Sequence, residues 1–131
     1  MKARVLVVDD DRLVADTLCL IFRANGFESE ARYCAASGFE FAKDFAPALV
    51  LCDVVMPDES GLQLAERMRE AMPATRLLFL TAYHADGAAL QVAAGQVAAG
   101  HLPSPLPLKL LKKPCRPDEL LRETRLLLQT A

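Results

Sequence analysis

The chain has 131 residues, enough for one domain with a real core. Apolar residues make up 53% of it, which excludes a disordered chain, and 15 basic against 17 acidic residues give a net charge of −2, which provides no electrostatic footprint for nucleic acid. No apolar run approaches the ~20 residues of a membrane span, and the apolar stretch after Met1 ends too soon, at Asp9, for a signal peptide, so a cytoplasmic chain is expected.

Arg4 to Val8 reads as a buried strand running into Asp9-Asp10-Asp11. From Asp11 to about Asn25 the residues Val14, Leu18, Ile21 and Phe22 recur at helical spacing, with Asp10 or Asp11 as the cap and Asn25-Gly26 as the stop. Phe27 to Tyr33 alternates as a second strand, and Ala35 to Phe45 is a helix with Phe39, Ala42 and Phe45 inward. Pro47 opens the next strand, whose apolar run Ala48 to Cys52 ends in Asp53. Such a run suits a strand buried on both faces of a parallel sheet. Pro57 can neither extend a ladder nor sit inside a helix, so the chain after Asp53 is a loop.

Ser60-Gly61-Leu62-Gln63 has the form of a capping box, followed by a helix with Leu64, Met68 and Met72 on one stripe. Arg76 to Leu80 is a further strand ending in Thr81-Ala82. Ala85 to Ala99 is expected to be helical in part, weakened by Gly87, Gly95 and Gly100, and Pro103 to Pro107 must be extended. Leu108 to Lys112 is the last strand, ending in Lys113-Pro114, and the last helix opens at Pro117 with Asp118 and Glu119 in its first turn, burying Leu120, Thr124, Leu127 and Leu128. The alternation predicts a single α/β domain, a doubly wound five-stranded parallel sheet with right-handed crossovers. Cys19, Cys34, Cys52 and Cys115 include no close pair, so buried reduced thiols are expected rather than a zinc site.

A parallel sheet brings Asp9-Asp10, Asp53, Thr81 and Lys113, each at a strand end, to one rim. Three carboxylates there repel: two unit charges ~4 Å apart cost roughly 4 kcal/mol at an effective dielectric of about 20. Such a nest must take up a proton or a cation, and oxygen ligands with no His or Cys nearby point to Mg²⁺. A carboxylate is a competent phosphoryl acceptor, and metal, ammonium and hydroxyl are the partners that phosphoryl transfer needs.

Val7-Val8-Asp9-Asp10-Asp11, Asp53-Val54-Val55-Met56-Pro57 with Gly61, Leu80-Thr81-Ala82 and Lys113-Pro114 together resemble the receiver domain of two-component response regulators, in order and spacing, over nearly the whole chain. The resemblance implies a flavodoxin-like fold of strand order 2-1-3-4-5. It implies that Asp53 takes a phosphoryl group from a histidine kinase or phosphotransfer protein and that a partner or output domain is switched in response. It further implies that Asp10, Asp53 and the Val55 backbone carbonyl ligate Mg²⁺, with Asp9 acting mostly through water. Thr81 and Lys113 would hold the phosphoryl oxygens.

Three features depart from the family pattern or modulate it. Leu110 stands where an aromatic switch residue is usual, so the coupling to Thr81 is expected to be absent or altered. The stretch from Thr81 to Lys113 is longer than the family needs, with an atypical Pro/Ala/Gly-rich insertion at about 94–107. The preceding helix is therefore expected to be short or displaced, the common dimer through that face disfavoured, and the chain a monomer or weak dimer. Val55 and Tyr83 lie two residues past the acceptor and the threonine, and an apolar Val55 cannot orient water, so self-hydrolysis is expected to be slow.

Two other functions compete. One is a receiver-fold binding module that works without phosphorylation. The other is a haloacid-dehalogenase-type phosphohydrolase with Asp9 of Asp9-x-Asp11 as nucleophile, which leaves Asp53 and Pro57 unexplained. The sequence ends at the last helix, which suits either a stand-alone receiver or part of a longer chain.

Overall fold

In the computed structural model, residues 2–54, 56, 58–82, 108–113 and 116–129 are described, with the backbone alone for Thr81, Ala82 and 108–113 and for Leu62. The helix expected over 85–99 and the insertion at 94–107 lie outside the described residues, as do Val55, Tyr83 and Cys115. The elements are β1 (Arg4–Val8), α1 (Arg12–Ala24), β2 (Glu28–Arg32), α2 (Ala35–Phe45), β3 (Leu49–Asp53), α3 (Gly61–Ala71), β4 (Arg76–Ala82), β5 (Leu108–Lys113) and α4 (Pro117–Gln129). The sheet order is β2-β1-β3-β4-β5, and all four pairings are parallel.

The central strands β1, β3 and β4 carry apolar runs because alternate side chains meet helices on opposite faces, whereas the edge strand β2 reads Glu28-Ser29-Glu30-Ala31-Arg32 and is only partly covered. Leu6, Val8, Val50, Cys52, Leu77 and Phe79 join the core with residues of α2 and α3, such as Ala42, Phe45, Leu64 and Met68. Val5, Val7, Leu49, Leu51, Leu78 and Leu80 join the other core, with Leu18 and Phe22 of α1 and Leu120 and Leu121 of α4. Met72 and Phe39 pack from the margin of the first layer, and Leu127 and Leu128 from the margin of the second. Thr124 is fully buried.

Local chemistry sets the helix ends. Asp11 caps α1, its carboxylate accepting the Val14 N–H at 3.2 Å. The helix ends at Asn25, and Gly26 takes a positive φ of 91° that glycine adopts without steric cost. Ser60 and Gln63 form a complete capping box on α3.

Candidate functional site

Register alone brings the first two acids together. Val7 pairs with Leu51 and Val8 with Cys52, so one step further along β1 the chain reaches Asp9 beside Asp53, with the same facing parity. Asp53 ends the central strand and is 8% exposed; Asp9 is 2% exposed. Asp10, on the turn into α1, is exposed. One carboxylate oxygen from each of Asp9, Asp10 and Asp53 lies within 4.8 Å of the others.

The backbone holds this nest in place. The Asp9 N–H donates to the Arg32 carbonyl of β2 at 3.1 Å, and the Asp9 carboxylate accepts the Asp11 N–H at 3.0 Å. On the other side, the Gly61 N–H donates to the Val54 carbonyl at 2.8 Å, drawing the start of α3 over the end of β3. Gly61 is required there for space: a Cβ on it would overlap the Asp53 carbonyl oxygen and approach the Cys52 sulfur to 3.1 Å.

Beneath the acids, the Cys52 thiol is buried and donates to the Asp53 carbonyl at 3.2 Å. Burial pushes this thiol well above its usual range, and the charges of Asp53 and Asp9 push it further, so it remains protonated. Cys19, Cys34 and Cys52 are all free, with Cys19 and Cys52 buried and Cys34 half-buried.

Thr81 and Lys113 reach the same edge of the sheet through the backbone. Asp53 pairs with Leu80, the residue before Thr81, and Thr81 and Ala82 pair with Lys112 and Lys113. Leu110 pairs with Phe79. The donor set at the described part of the site is oxygen only, with two buried carboxylates and one on the open side. That suits a hard divalent cation which keeps part of its water shell.

Asp58 does not stand out in the sequence. It lies in the loop after β3, yet its two carboxylate oxygens accept the Ala35 N–H at 3.2 Å and the Ala36 N–H at 3.0 Å, at the head of α2. The slight desolvation of this exposed carboxyl acts to raise its pKa, but the backbone N–H groups of Ala36 and Ala35, with those of Asp58 and Glu59, outweigh it and hold the carboxyl below its usual value. The available signal was at the other end of the contact. No Ser, Thr, Asp or Asn stands just before Ala35, and Cys34 makes no side-chain cap bond, so α2 needs its first amides satisfied from elsewhere.

Known proteins resemble this chain in sequence and in fold. The response regulator receiver domain model matches residues 5–125. The DNA-binding transcriptional regulator NtrC of Azospirillum brasilense is 34% identical over 83% of the chain and 22% of its own length. The response regulator MprA of Mycobacterium ulcerans is 33% identical over 96% of the chain and 53% of its own length. The chain thus spans about half the length of these curated relatives, or less. A CheY-like response regulator receiver domain protein of Methanospirillum hungatei superposes with a TM-score of 0.81 at 26% identity, covering 98% of this chain and 94% of that one. The chemotaxis protein CheY4 of Vibrio cholerae has the same fold, with a TM-score of 0.80 at 21% identity over 97% of this chain and 99% of its own. Nothing among these matches points to a phosphohydrolase.

Proposed function

This chain belongs to the response regulator receiver domain family, and from that premise we propose that Asp53 is the phosphoacceptor of a two-component or phosphorelay system. The donor is the phosphohistidine of a sensor kinase or phosphotransfer protein. An Asp53 carboxylate oxygen forms a bond to phosphorus as the phosphorus–imidazole bond breaks, and the imidazole leaves with the electron pair and takes up a proton. The convergence of Asp9, Asp10 and Asp53 at the carboxyl end of the central strands supports the reading most strongly.

Asp10, Asp53 and the Val55 carbonyl would hold Mg²⁺, with Asp9 acting mostly through water. When bound, the cation neutralises the nest and the charge that develops on the phosphoryl oxygens. Asp53 then presents its oxygen from a strand end fixed by the Gly61–Val54 hydrogen bond. Thr81 and Lys113 take the remaining phosphoryl oxygens from the neighbouring strand ends. Leu110 changes or removes the usual aromatic reporter, and a partner protein or output domain reads the result. The chain acts as a signalling acceptor that assists its own phosphorylation, with slow self-hydrolysis set by Val55.

Incubation with phosphoramidate, with and without Mg²⁺, followed by peptide mapping, tests this reading. One phosphoryl group on Asp53, dependent on Mg²⁺ and absent from Asp53→Asn, is the expected result. No label would favour a binding module, and label on Asp9 a hydrolase.

A further inference from the structure

We propose that Asp58 is a positioning residue: by capping α2 from the acceptor loop, it fixes the distance between the two halves of the acid nest. The inference rests on the reading of Asp53 as a Mg²⁺-dependent phosphoacceptor.

The loop after β3 is tied to its own strand and helix at several points. The Gly61 N–H bonds the Val54 carbonyl, Met56 is buried in the core, Glu59 pairs with Arg67 at 3.3 Å, and Ser60 closes the capping box. The Gly61, Glu59 and Ser60 contacts keep the loop against β3 or α3, and Met56 enters the apolar core that α2 and α3 share. Asp58 reaches across to a different helix. Its carboxylate spans the N–H groups of Ala35 and Ala36, more than 20 residues away in sequence. A carboxylate suits that place twice over, as acceptor for first-turn amides and as counter-charge to the positive helix end.

α2 passes this restraint on to β1. A Cβ at Gly38 would come within 2.8 Å of the Val8 side chain, so the helix lies directly on the residue before Asp9. The contacts Asp58 to Ala35–Ala36, α2 through Gly38 to Val8, and Val8 to Asp9 therefore link the loop after Asp53 with the Asp9–Asp10 turn. Cys34 cannot replace the cap, because its thiol is engaged with the Ser37 hydroxyl at 3.3 Å. Without Asp58 the loop and the helix keep only the non-directional apolar contact of Met56, and the carboxylates no longer hold their separation in the metal-free protein.

The test compares Asp58→Ala and Asp58→Asn with the wild type, by amide hydrogen exchange and by calorimetric Mg²⁺ titration. In Asp58→Ala the Ala35 and Ala36 amides are expected to exchange about tenfold faster, as for a lost charge-assisted bond. Its Mg²⁺ Kd is expected to rise about tenfold, as when a residue that orients metal ligands is lost. At saturating Mg²⁺, labelling of Asp53 stays within about twofold of wild type, because positioning is restored by the bound cation. Asp58→Asn retains an acceptor oxygen and falls between the two; it also carries the test if the alanine variant does not fold. A Kd equal to that of wild type in either folded variant overturns the proposal, whether or not the amides loosen. If instead the wild type neither binds Mg²⁺ nor takes label on Asp53, the phosphoacceptor reading fails, while faster amide exchange would still register the cap.

Discussion

The two ends of the same sheet use polar chemistry in opposite ways. At the amino ends of the strands, polar groups satisfy one another: Arg4 meets Glu28 at 3.3 Å and the Phe45 carbonyl at 2.9 Å, buried Thr75 donates to the Pro47 carbonyl at 2.9 Å, and Arg76 reaches the Leu127 carbonyl at 3.3 Å. A shallow groove there is lined by Arg4, Ala46, Pro47, Met72 and Thr75. At the carboxyl ends, three carboxylates converge, two of them buried. The amino end therefore contributes to folding, whereas the carboxyl end gathers like charges in the arrangement that suits the cation proposed for it.

The largest expected effect comes from closing the tightest approach at the carboxyl end. Gly61→Ala drives a methyl into the Asp53 carbonyl, which is backbone and cannot swing aside. The variant is expected to lose about 3 kcal/mol of stability in urea unfolding and most of its Mg²⁺ affinity. A variant as stable as wild type would show that α3 can lift off β3 freely.

Asp10→Asn sharpens the contrast by changing sign with conditions. Two charges at the 4.8 Å outer limit of the nest repel by about 3.5 kcal/mol at an effective dielectric of about 20, and solvent around the exposed Asp10 reduces this to about 1 kcal/mol. The metal-free variant is expected to melt about 4 °C higher than wild type. In Mg²⁺ the advantage disappears, and affinity for the ion falls about tenfold or more.

At the amino end, Thr75→Val leaves the Pro47 carbonyl without its donor and is expected to cost about 1 kcal/mol. Mg²⁺ binding and Asp53 labelling should match wild type, and a change in either would break the division between the ends. The smallest effect concerns acid. The folded-state pKa of Asp58 is depressed, so its contribution is present above the unfolded-state pKa and is lost as pH falls through the folded one. The stability gap between wild type and Asp58→Asn is expected to be open at neutral pH and to close below about pH 4 in urea titrations.

Much of this architecture was legible in the residues. Strands buried on both faces write themselves as unbroken apolar runs, as in Val5 to Val8 and Leu49 to Cys52, and their ends are marked by the acids that follow. The Ser60–Gln63 box is local, so four residues sufficed to read it. Gly61 was visible as part of a motif, but its reason, the nearby Asp53 carbonyl, is a distance between elements. Asp58 was illegible for a related cause: its partners lie on another helix, and an acid after a proline reads locally as an ordinary loop residue. Leu121 is buried alongside Leu120, although helical spacing from Leu120 pointed to Thr124, Leu127 and Leu128.

A Mg²⁺ titration followed by amide chemical shifts tests most directly whether the two ends differ as described. Saturable shifts at Asp9, Asp10 and Asp53, abolished by Asp53→Asn, with Arg4 and Thr75 unmoved, are expected. Absence of saturation at the three acids, or equal shifts around Arg4 and Thr75, would contradict a cation-holding acceptor site at the carboxyl edge.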